Sequence, residues 1–240
     1  MRFSAQPATL QEILPWRDIF RSRINCQIVH DSLHGREGWT LPYFLEVDGQ
    51  TAGYGSVAVG GPWKGTRTVF EFSLLPDQES RAFDLFECFL AASEATAFEV
   101  QSNDLLLTAM FHAYARDIKS EKIVFEDSVT TAHTLEGFTF RKQEDAEGGE
   151  YVLELDGAQA ARGGILFHYN RPYGDVYMAV AEPFRRRGLG CYLVQELKRI
   201  CYQMGSVPCA RCDTGNFASR KTLQRAGFAP CAHILIDLGY

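Results

Sequence analysis

An internal repeat is the feature that most restricts how this chain can fold. Tyr43–Val59, YFLEVDGQTAGYGSVAV, matches Tyr151–Phe167, YVLELDGAQAARGGILF, at an offset of 108 residues. The Tyr, Leu, Glu, Asp-Gly, Ala and a later Gly coincide in the two copies. Each copy places an Asp-Gly pair between two segments of strand-like composition, which predicts a β-hairpin. We therefore expect two copies of one folding unit.

The similarity continues beyond the hairpins as a shared pattern. In each copy a further strand leads to a proline, Pro76 or Pro183, and then to a segment with helical periodicity. The apolar positions that would lie on one face of these helices are Leu85, Phe86, Phe89 and Leu90 in the first copy, and Leu193, Val194, Leu197, Ile200, Cys201 and Met204 in the second. Gly205 follows as a C-terminal cap. Each half thus predicts hairpin, strand, helix, strand, helix and strand, which is an α/β (α+β) fold with helices packed on a mixed sheet.

The copies define two expected domains, residues 1–143 and 144–240. Residues 9–24, TLQEILPWRDIFRSRI, add a helix to the first domain that the second lacks. The polar stretch Lys142–Glu150 is the expected junction. Because this stretch is short, we expect the two modules to pack together.

Charge is distributed unevenly between the halves. The chain has 240 residues and a net charge of -6. Residues 1–143 carry 13 Lys and Arg against 19 Asp and Glu, a net of -6, whereas the rest carry 11 of each. This balance does not favour a nucleic-acid partner. The acidic excess is typical of a solubilising surface, and it also fits a cationic ligand near the first half and an anionic ligand on the second.

The sequence gives little support for a membrane-spanning helix, a signal peptide, a disulfide framework or a metal site. There is no run of 18 apolar residues, and residues 1–16 lack the apolar stretch of a signal peptide. Seven scattered cysteines, an odd number, predict reduced thiols in a cytoplasmic protein. Cys209 and Cys212 form a C-x-x-C pair, but on a predicted strand they would face opposite ways. With no matching histidine spacing, we expect no metal site.

A glycine-containing turn carries the strongest functional signal. Arg185–Gly190, RRRGLG, lies between a predicted strand and a predicted helix. A helix N-terminus presents unpaired N–H groups and a positive dipole end, glycine lets the backbone approach an anion closely, and arginine adds charge. The third glycine of a dinucleotide motif would fall on Leu193, and no Gly-Lys-Ser/Thr follows. The spacing therefore predicts an anion site of another class.

The turn and a later segment together resemble the GNAT acyltransferase superfamily. Arg185–Gly190 fits its R/Q-x-x-G-x-G/A signature, and Cys212–Phe228 is similar to its N-x-x-S/A…GF segment. The resemblance implies an N-acetyltransferase that uses acetyl-CoA. It also implies the residues that would bind this cosubstrate, which are Val180, Arg185, Arg186, Arg187, Gly188, Leu189, Gly190, Cys191, Asn216 and Ser219.

The first half differs from this family at the corresponding place. Gln78–Phe83, QESRAF, has no glycine and has gained a carboxylate. The chain thus resembles a tandem GNAT protein whose C-terminal module alone binds acyl-CoA. The first module would be a scaffold or the substrate side.

The resemblance also implies catalytic roles. The Val180 N–H would donate to the thioester carbonyl as an oxyanion hole. The base is often a carboxylate on the same strand, for which Asp175 is the candidate and Glu182 the alternative. The usual acid is a tyrosine seven residues after the motif asparagine, where this chain has Leu223. Other tyrosines nearby in sequence are Tyr177, Tyr192 and Tyr202.

Three functions remain open on the sequence. The first is transfer of an acetyl group from acetyl-CoA to a small-molecule amine, directly in a ternary complex. The second is a CoA-binding sensor or regulatory module without turnover, and the third is a nucleotide-binding protein of another class. The acidic excess of residues 1–143 favours a cationic amine, while the acceptor's identity and the oligomeric state stay open.

Overall fold

The computed structural model describes residues 1–143 and 151–239. The expected junction at Lys142–Glu150 therefore lies mostly outside the described residues. The strands are β1 (Phe3–Pro7), β2 (Thr40–Val47), β3 (Gln50–Ala58), β4 (Thr68–Leu74), β5 (Ala97–Gln101), β6 (Lys119–Asp127), β7 (Thr139–Lys142), β8 (Tyr151–Leu155), β9 (Ala158–Leu166), β10 (Tyr173–Val180), β11 (Val207–Asp213) and β12 (Phe228–Asp237). The α-helices are α1 (Leu10–Arg23), α2 (Ala82–Ser93), α3 (Leu105–Tyr114), α4 (Leu189–Gln203) and α5 (Phe217–Arg225).

Both predicted hairpins are present. β2 pairs with β3 and β8 with β9, each around a two-residue Asp-Gly turn. Asp48 and Gly49 have φ values of 51° and 79°, and Asp156 and Gly157 have 49° and 78°. Positive φ at both central residues is typical of a type I′ turn, whose twist matches that of the strands. The repeated Asp-Gly pair therefore marks the same local structure twice.

The chain forms two compact units whose limits differ from the expected ones. The first contains residues 1–121 and 232–240, and the second contains residues 122–231. The boundary expected between residues 143 and 144 lies inside the second unit.

Strands that pair within the unit formed mainly by the other half of the sequence explain this difference. β6 and β7 belong to the first half, yet residues 122–126 of β6 pair antiparallel with β11 in the second unit, and β7 pairs with β8. β12 ends the second half, yet its residues 234–237 pair antiparallel with β5 in the first unit. Each compact unit thus contains a strand from the other half of the sequence.

The first unit is a sheet with helices on both faces. Its strand order is β1-β2-β3-β4-β5-β12, with β4 and β5 parallel and the other pairs antiparallel. On one face α2 supplies the predicted apolar positions, and Leu85, Phe86 and Phe89 are fully buried. On the other face α1 begins with Thr9, whose side chain forms a capping box with Glu12.

The second unit has the strand order β6-β11-β10-β9-β8-β7, in which only β10 and β11 are parallel. α4 packs its apolar stripe on this sheet, and Leu193, Val194, Leu197 and Cys201 are fully buried. Met204 was expected in the stripe but is exposed, because α4 ends at Gln203. Gly205 follows with φ 70°, as expected of a helix-terminating glycine.

Candidate acyl-CoA site

The site is built where β10 and β11 separate. The two strands pair in parallel from Tyr173 to Asp175, and beyond Asp175 β10 has no recorded pairing with β11 in the described chain. On its other side, β10 stays paired with β9 up to Val180. The Ala181 N–H donates to Ala160 O at 2.9 Å on that side. Because N–H groups alternate along an antiparallel strand, the N–H of Val180 points into the opening between β10 and β11.

The start of α4 faces this opening. Gly188 is its N-cap with φ 83°, a left-handed conformation that favours glycine. No other atom lies within 4 Å of where a Cβ on Gly188 would be, so the need for glycine is one of backbone conformation. A Cβ on Gly190 would lie 3.0 Å from Thr222 Cγ2 and 3.6 Å from Val180 Cγ2. Gly190 is therefore needed for the close approach of α4 to α5 and β10.

A cleft of about 940 Å³ runs along these elements. It is lined by Met178, Ala179, Val180, Phe184, Arg185, Arg186, Gly188, Leu189, Gly190, Cys191, Asn216, Ala218, Ser219, Lys221, Thr222 and Arg225. All of these lie in the described part of the second unit, and none of them is a carboxylate. Four carry a positive charge, and the first N–H groups of α4 point the same way. The cleft therefore suits an anion.

Of the ten residues expected to bind the cosubstrate, the structure brings nine together around this cleft. The exception is Arg187, whose guanidinium lies over the Phe184 ring at 5.7 Å from its centre. Arg186 has φ 62°, an unusual conformation for a residue with a side chain. Arg185 bends back on β10, and its Nε donates to Val180 O at 3.3 Å. The three arginines thus lie in different environments.

α5 forms the other wall of the cleft. Asn216 is its N-cap, and the Asn216 side-chain oxygen accepts from the Ser219 N–H at 3.0 Å. This bond uses the carbonyl end of the amide, so the NH₂ group keeps its two donors for other partners. Sequence reasoning missed four further lining residues on this helix, Ala218, Lys221, Thr222 and Arg225. Lys221, Thr222 and Arg225 are one, three and four residues apart, so they lie on one face of the helix together with Ala218. This helical spacing is the sequence signal that could have identified them.

The two candidate bases lie outside the lining of the cleft. Asp175 is buried on β10, and its Oδ2 forms an ion pair with Arg211 Nε at 3.2 Å. Glu182 is exposed and begins a short 3₁₀ turn, Glu182–Phe184. The candidates are on the elements that the sequence indicated, but neither side chain is among those that line the opening.

No tyrosine lines the cleft among the described residues. Leu223, at the position of the usual acid, is buried in the core of the second unit. Tyr202 donates to Asp127 Oδ2 at 2.6 Å, and Tyr192 packs against the core. Tyr177 is partly exposed on β10. Cys191, in the first turn of α4, is the lining thiol, and burial raises its pKa, so at neutral pH the thiol is protonated.

The described residues contain no group of three or more His, Cys, Asp or Glu side chains placed to hold a metal ion. Cys209 and Cys212 lie on β11, and both are buried. None of the helices in the described chain has the length and apolar character needed to cross a membrane.

Solved structures of low sequence identity share the fold over almost the whole chain. An acetyltransferase of the GNAT family from Colwellia psychrerythraea has a TM-score of 0.79 at 14% identity, covering 99% of both chains. A tandem GNAT protein from the clavulanic acid biosynthesis pathway has 0.65 at 13%, covering 98% of both. A GCN5-related N-acetyltransferase from Sphaerobacter thermophilus has 0.64 at 13%, covering 98% of this chain and 94% of that one.

The sequence itself identifies the family. No curated protein matches the chain. The model of the acetyltransferase (GNAT) family matches residues 109–228, which is half of the chain and includes the whole candidate site. The strand separation, the glycine turn and the cationic cleft lie within this match. The chain therefore belongs to the acetyltransferase (GNAT) family.

Proposed function

We propose that the second unit binds acetyl-CoA in the cleft and transfers its acetyl group directly to an amine acceptor in a ternary complex. One observation carries the proposal. The N–H of Val180 and the N-terminus of α4 open into the same cleft, whose charged side chains are all cationic. The cleft thus offers donors for both ends of a long anionic thioester.

The helix start fits a pyrophosphate. Gly188 adopts a conformation that directs the first N–H groups of α4 toward the cleft. Arg186, Lys221 and Arg225 line the same space and would add charge and hydrogen-bond donors. The absence of lining carboxylates, in the described chain, avoids repulsion of the phosphates.

The opening of β10 fits the acyl end. Acetyl-CoA would supply an activated acetyl group as a thioester. The Val180 N–H is placed to donate to its carbonyl oxygen, where negative charge develops during transfer. Since neither Asp175 nor Glu182 lines the cleft, the acceptor would enter as the neutral amine. Its nitrogen would bond to the thioester carbon as the carbon–sulfur bond breaks, CoA would leave as the thiolate, and the proton of the amine would leave through water. The rate is then expected to rise with pH up to the pKa of the amine.

The first test is binding. At 100 times its Kd, acetyl-CoA should add about 2.7 kcal/mol to the free energy of unfolding, which a thermal or denaturant melt detects. ATP and NAD serve as comparison ligands. Stabilisation by either of them rather than by acetyl-CoA would favour a nucleotide-binding protein and contradict the proposal.

The second test is turnover. The protein with acetyl-CoA is incubated with a panel of amines, including polyamines and amino acids, and the acetylated product is detected by mass spectrometry. The acidic excess of residues 1–143 leads us to expect cationic amines among the acceptors. Product that forms equally fast without the protein would contradict catalysis.

A CoA-binding sensor or regulatory module is the second candidate. It is favoured by the burial of Leu223 at the acid position and by the ion pair of Asp175, which leave the cleft without a tyrosine or a carboxylate among the described residues. Stabilisation by acetyl-CoA without any acetylated product over the panel would support it.

In either case, the first unit is proposed as a scaffold or as the substrate side. Its junction between β4 and α2 has Glu79 where the second unit has Arg186, and a further carboxylate, Asp77, lies two residues before it. The reduced thiols expected from the sequence favour a cytoplasmic protein.

A further inference from the structure

The acyl-CoA cleft becomes narrower along β10, in the direction away from α4. β10 and β11 pair in parallel from Tyr173 to Asp175 and separate beyond Asp175 in the described chain. A pyrophosphate at the start of α4 would lie at the wide end of the cleft. With the thioester carbonyl at the Val180 N–H, the acyl group of the cosubstrate would then point toward the narrow end, where the two strands meet.

Met178 is the lining residue nearest this narrow end. β10 contributes Met178, Ala179 and Val180 to the lining, and β11 contributes no residue of the described chain. Side chains alternate along a strand, so Met178 and Val180 face one side of the sheet and Ala179 faces the other. Met178 and Val180 are half-buried and pack against the core cluster that contains Leu193 of α4. The Met178 side chain therefore closes the inner end of the cleft on the side of α4.

The space behind Met178 is filled by the core of the second unit. Val176, the next residue of β10 on the same face, is 4% exposed, and Ala210 of β11 is fully buried in the same cluster. On the side of β9, a Cβ on Gly163 would lie 3.0 Å from Leu197 Cδ1 and 3.3 Å from Met178 Cα, so the backbone of β9 packs closely here. A ligand atom could thus pass Met178 only if its side chain moved.

The spacing along β10 determines the length of acyl group that fits. Met178 lies two residues before Val180, which is about 7 Å along an extended strand. An acetyl group at the Val180 N–H, with a van der Waals contact of about 4 Å to the Met178 side chain, takes up most of this distance. A butyryl group would need further space, and only displacement of Met178 would provide it.

The opposite side of the cleft is open. Ala179 is exposed, and its small side chain leaves that side of the thioester accessible. A carbonyl that accepts from the Val180 N–H lies near the plane of the sheet, and an amine attacks its carbon from above or below that plane. Because Met178 and Val180 close the α4 side, the acceptor would approach past Ala179. A longer acyl chain that bent toward Ala179 would block this approach.

We propose that Met178 determines which acyl group the cleft accepts, an assignment that rests on the acyl-CoA binding proposed above. Its flexible, unbranched side chain packs against the core on one side and would contact the acyl methyl group on the other. The donor is then a short acyl-CoA, with acetyl-CoA preferred to butyryl-CoA. Alanine at this position would remove about three non-hydrogen atoms, which is roughly the volume of the extra methylene groups of butyryl.

The test compares the binding of CoA, acetyl-CoA and butyryl-CoA to the full chain by calorimetric titration. In the wild type, butyryl-CoA should bind no more tightly than acetyl-CoA, because its extra methylene groups find no apolar space. In Met178→Ala, burial of these groups should shift the ratio of the two dissociation constants toward butyryl-CoA by about tenfold. CoA without an acyl group does not reach Met178, so it should bind the two proteins equally and report that the variant is folded.

Two further variants separate the size of this side chain from damage to the fold. Met178→Leu keeps the volume and should retain the wild-type ratio. The matched control is Met204→Ala, which removes an exposed methionine that follows α4 and is not among the lining residues, and it should also retain the ratio.

The outcomes distinguish this proposal from the proposed function. If acetyl-CoA binds but Met178→Ala leaves the ratio unchanged, Met178 does not select the acyl group, although the proposed function stands. Tighter binding of butyryl-CoA than of acetyl-CoA by the wild type would have the same meaning, and it tests the proposal even if Met178→Ala does not fold. If neither CoA nor acetyl-CoA binds the wild type, both proposals are wrong.

Discussion

The two strand–helix junctions of this chain start alike and end differently. β4 and β10 each lead to a short 3₁₀ turn that contains a proline, Pro76 or Pro183. After Pro183 the chain reaches Gly188, a left-handed N-cap, and α4 starts in a cationic cleft. After Pro76 it continues directly to Arg81, whose φ is -108° and whose side chain makes no capping bond.

The same backbone arrangement, a strand followed by a short turn and a helix, carries different side chains in the two units. In the first unit the helix start carries acidic side chains, Asp77 and Glu79 in the turn and Asp84 in the first turn of α2. These carboxylates of the chain itself interact with the positive end of the helix dipole and would repel a phosphate. In the second unit Arg185, Arg186, Arg187 and Gly188 precede α4, and the first turn of α4 has no acidic residue. Local residue changes on a shared scaffold thus give the two helix starts different charges.

The largest effect is expected from a bulky side chain at Gly190, at the junction between β10 and α4. In Gly190→Phe the ring would meet Thr222 and Val180, since even a Cβ lies within 3.0 Å of Thr222 Cγ2. Acetyl-CoA binding, measured by calorimetric titration, should weaken at least about 100-fold. Ser80→Phe, an exposed position at the first junction, is the control and should bind normally. Unchanged binding by Gly190→Phe would place the site elsewhere.

The next largest effect is a pH-dependent change in the free energy of unfolding that comes from Asp104, the N-cap of α3 in the first unit. The folded-state pKa of Asp104 is raised by burial to about 7 from an ordinary 3.8, so its ionisation costs stability as pH rises from about 4 to 7. Asp104→Asn retains a good N-cap but cannot ionise, and at pH 8 it should unfold with a free energy about 2 kcal/mol above that of the wild type. At pH 4 the gain should nearly vanish. Denaturant melts at the two pH values test this, and a gain equal at both would contradict the assignment.

A smaller effect is expected from one cleft charge. Arg225→Ala removes a cation that lines the cleft, and acetyl-CoA binding should weaken about tenfold at low salt and less at high salt, because exposed charges are screened. Arg81→Ala, at the first junction, should not change binding. If Arg81→Ala weakened binding as much as Arg225→Ala, the two junctions would not differ as described.

The smallest effect concerns the N-cap itself. Gly188→Ala meets no atom within 4 Å, so only its left-handed φ of 83° opposes the change. We expect a loss of about 1 kcal/mol in the free energy of unfolding without ligand. Arg81→Ala, where φ is negative, should cost within about 0.5 kcal/mol. Equal losses in the two variants would show that Gly188 is not conformationally strained.

Short-range structure was largely predictable. The Asp-Gly pairs identified both hairpins, and the apolar spacing identified the buried faces of α2 and α4. Nine of the ten residues expected to bind the cosubstrate assemble at one cleft, and Arg187 is the exception. Such features depend on residues that are close together in the chain, so local sequence patterns predict them.

Features that depend on distant residues were not predictable. The burial of Asp175 with Arg211 requires β10 beside β11, and the exposure of Met204 depends on where α4 ends. The cationic side chains of α5 line the cleft because α5 approaches α4 closely at Gly190 and Thr222, and this approach is not predictable from the sequence. The exchange of β6 and β12 between the units could not be read from a repeat that treats each half as self-contained.

By itself, the sequence determined the repeated hairpins, the helix faces and the single glycine turn that marks the family. Those follow from backbone preferences and from periodicities of a few residues. Only the tertiary structure decided which strands complete each unit, which charges meet at the cleft, and that Glu71 of the first unit is buried. Strand pairing and burial join residues far apart in the chain, and their free energies depend on partners that a local pattern does not name.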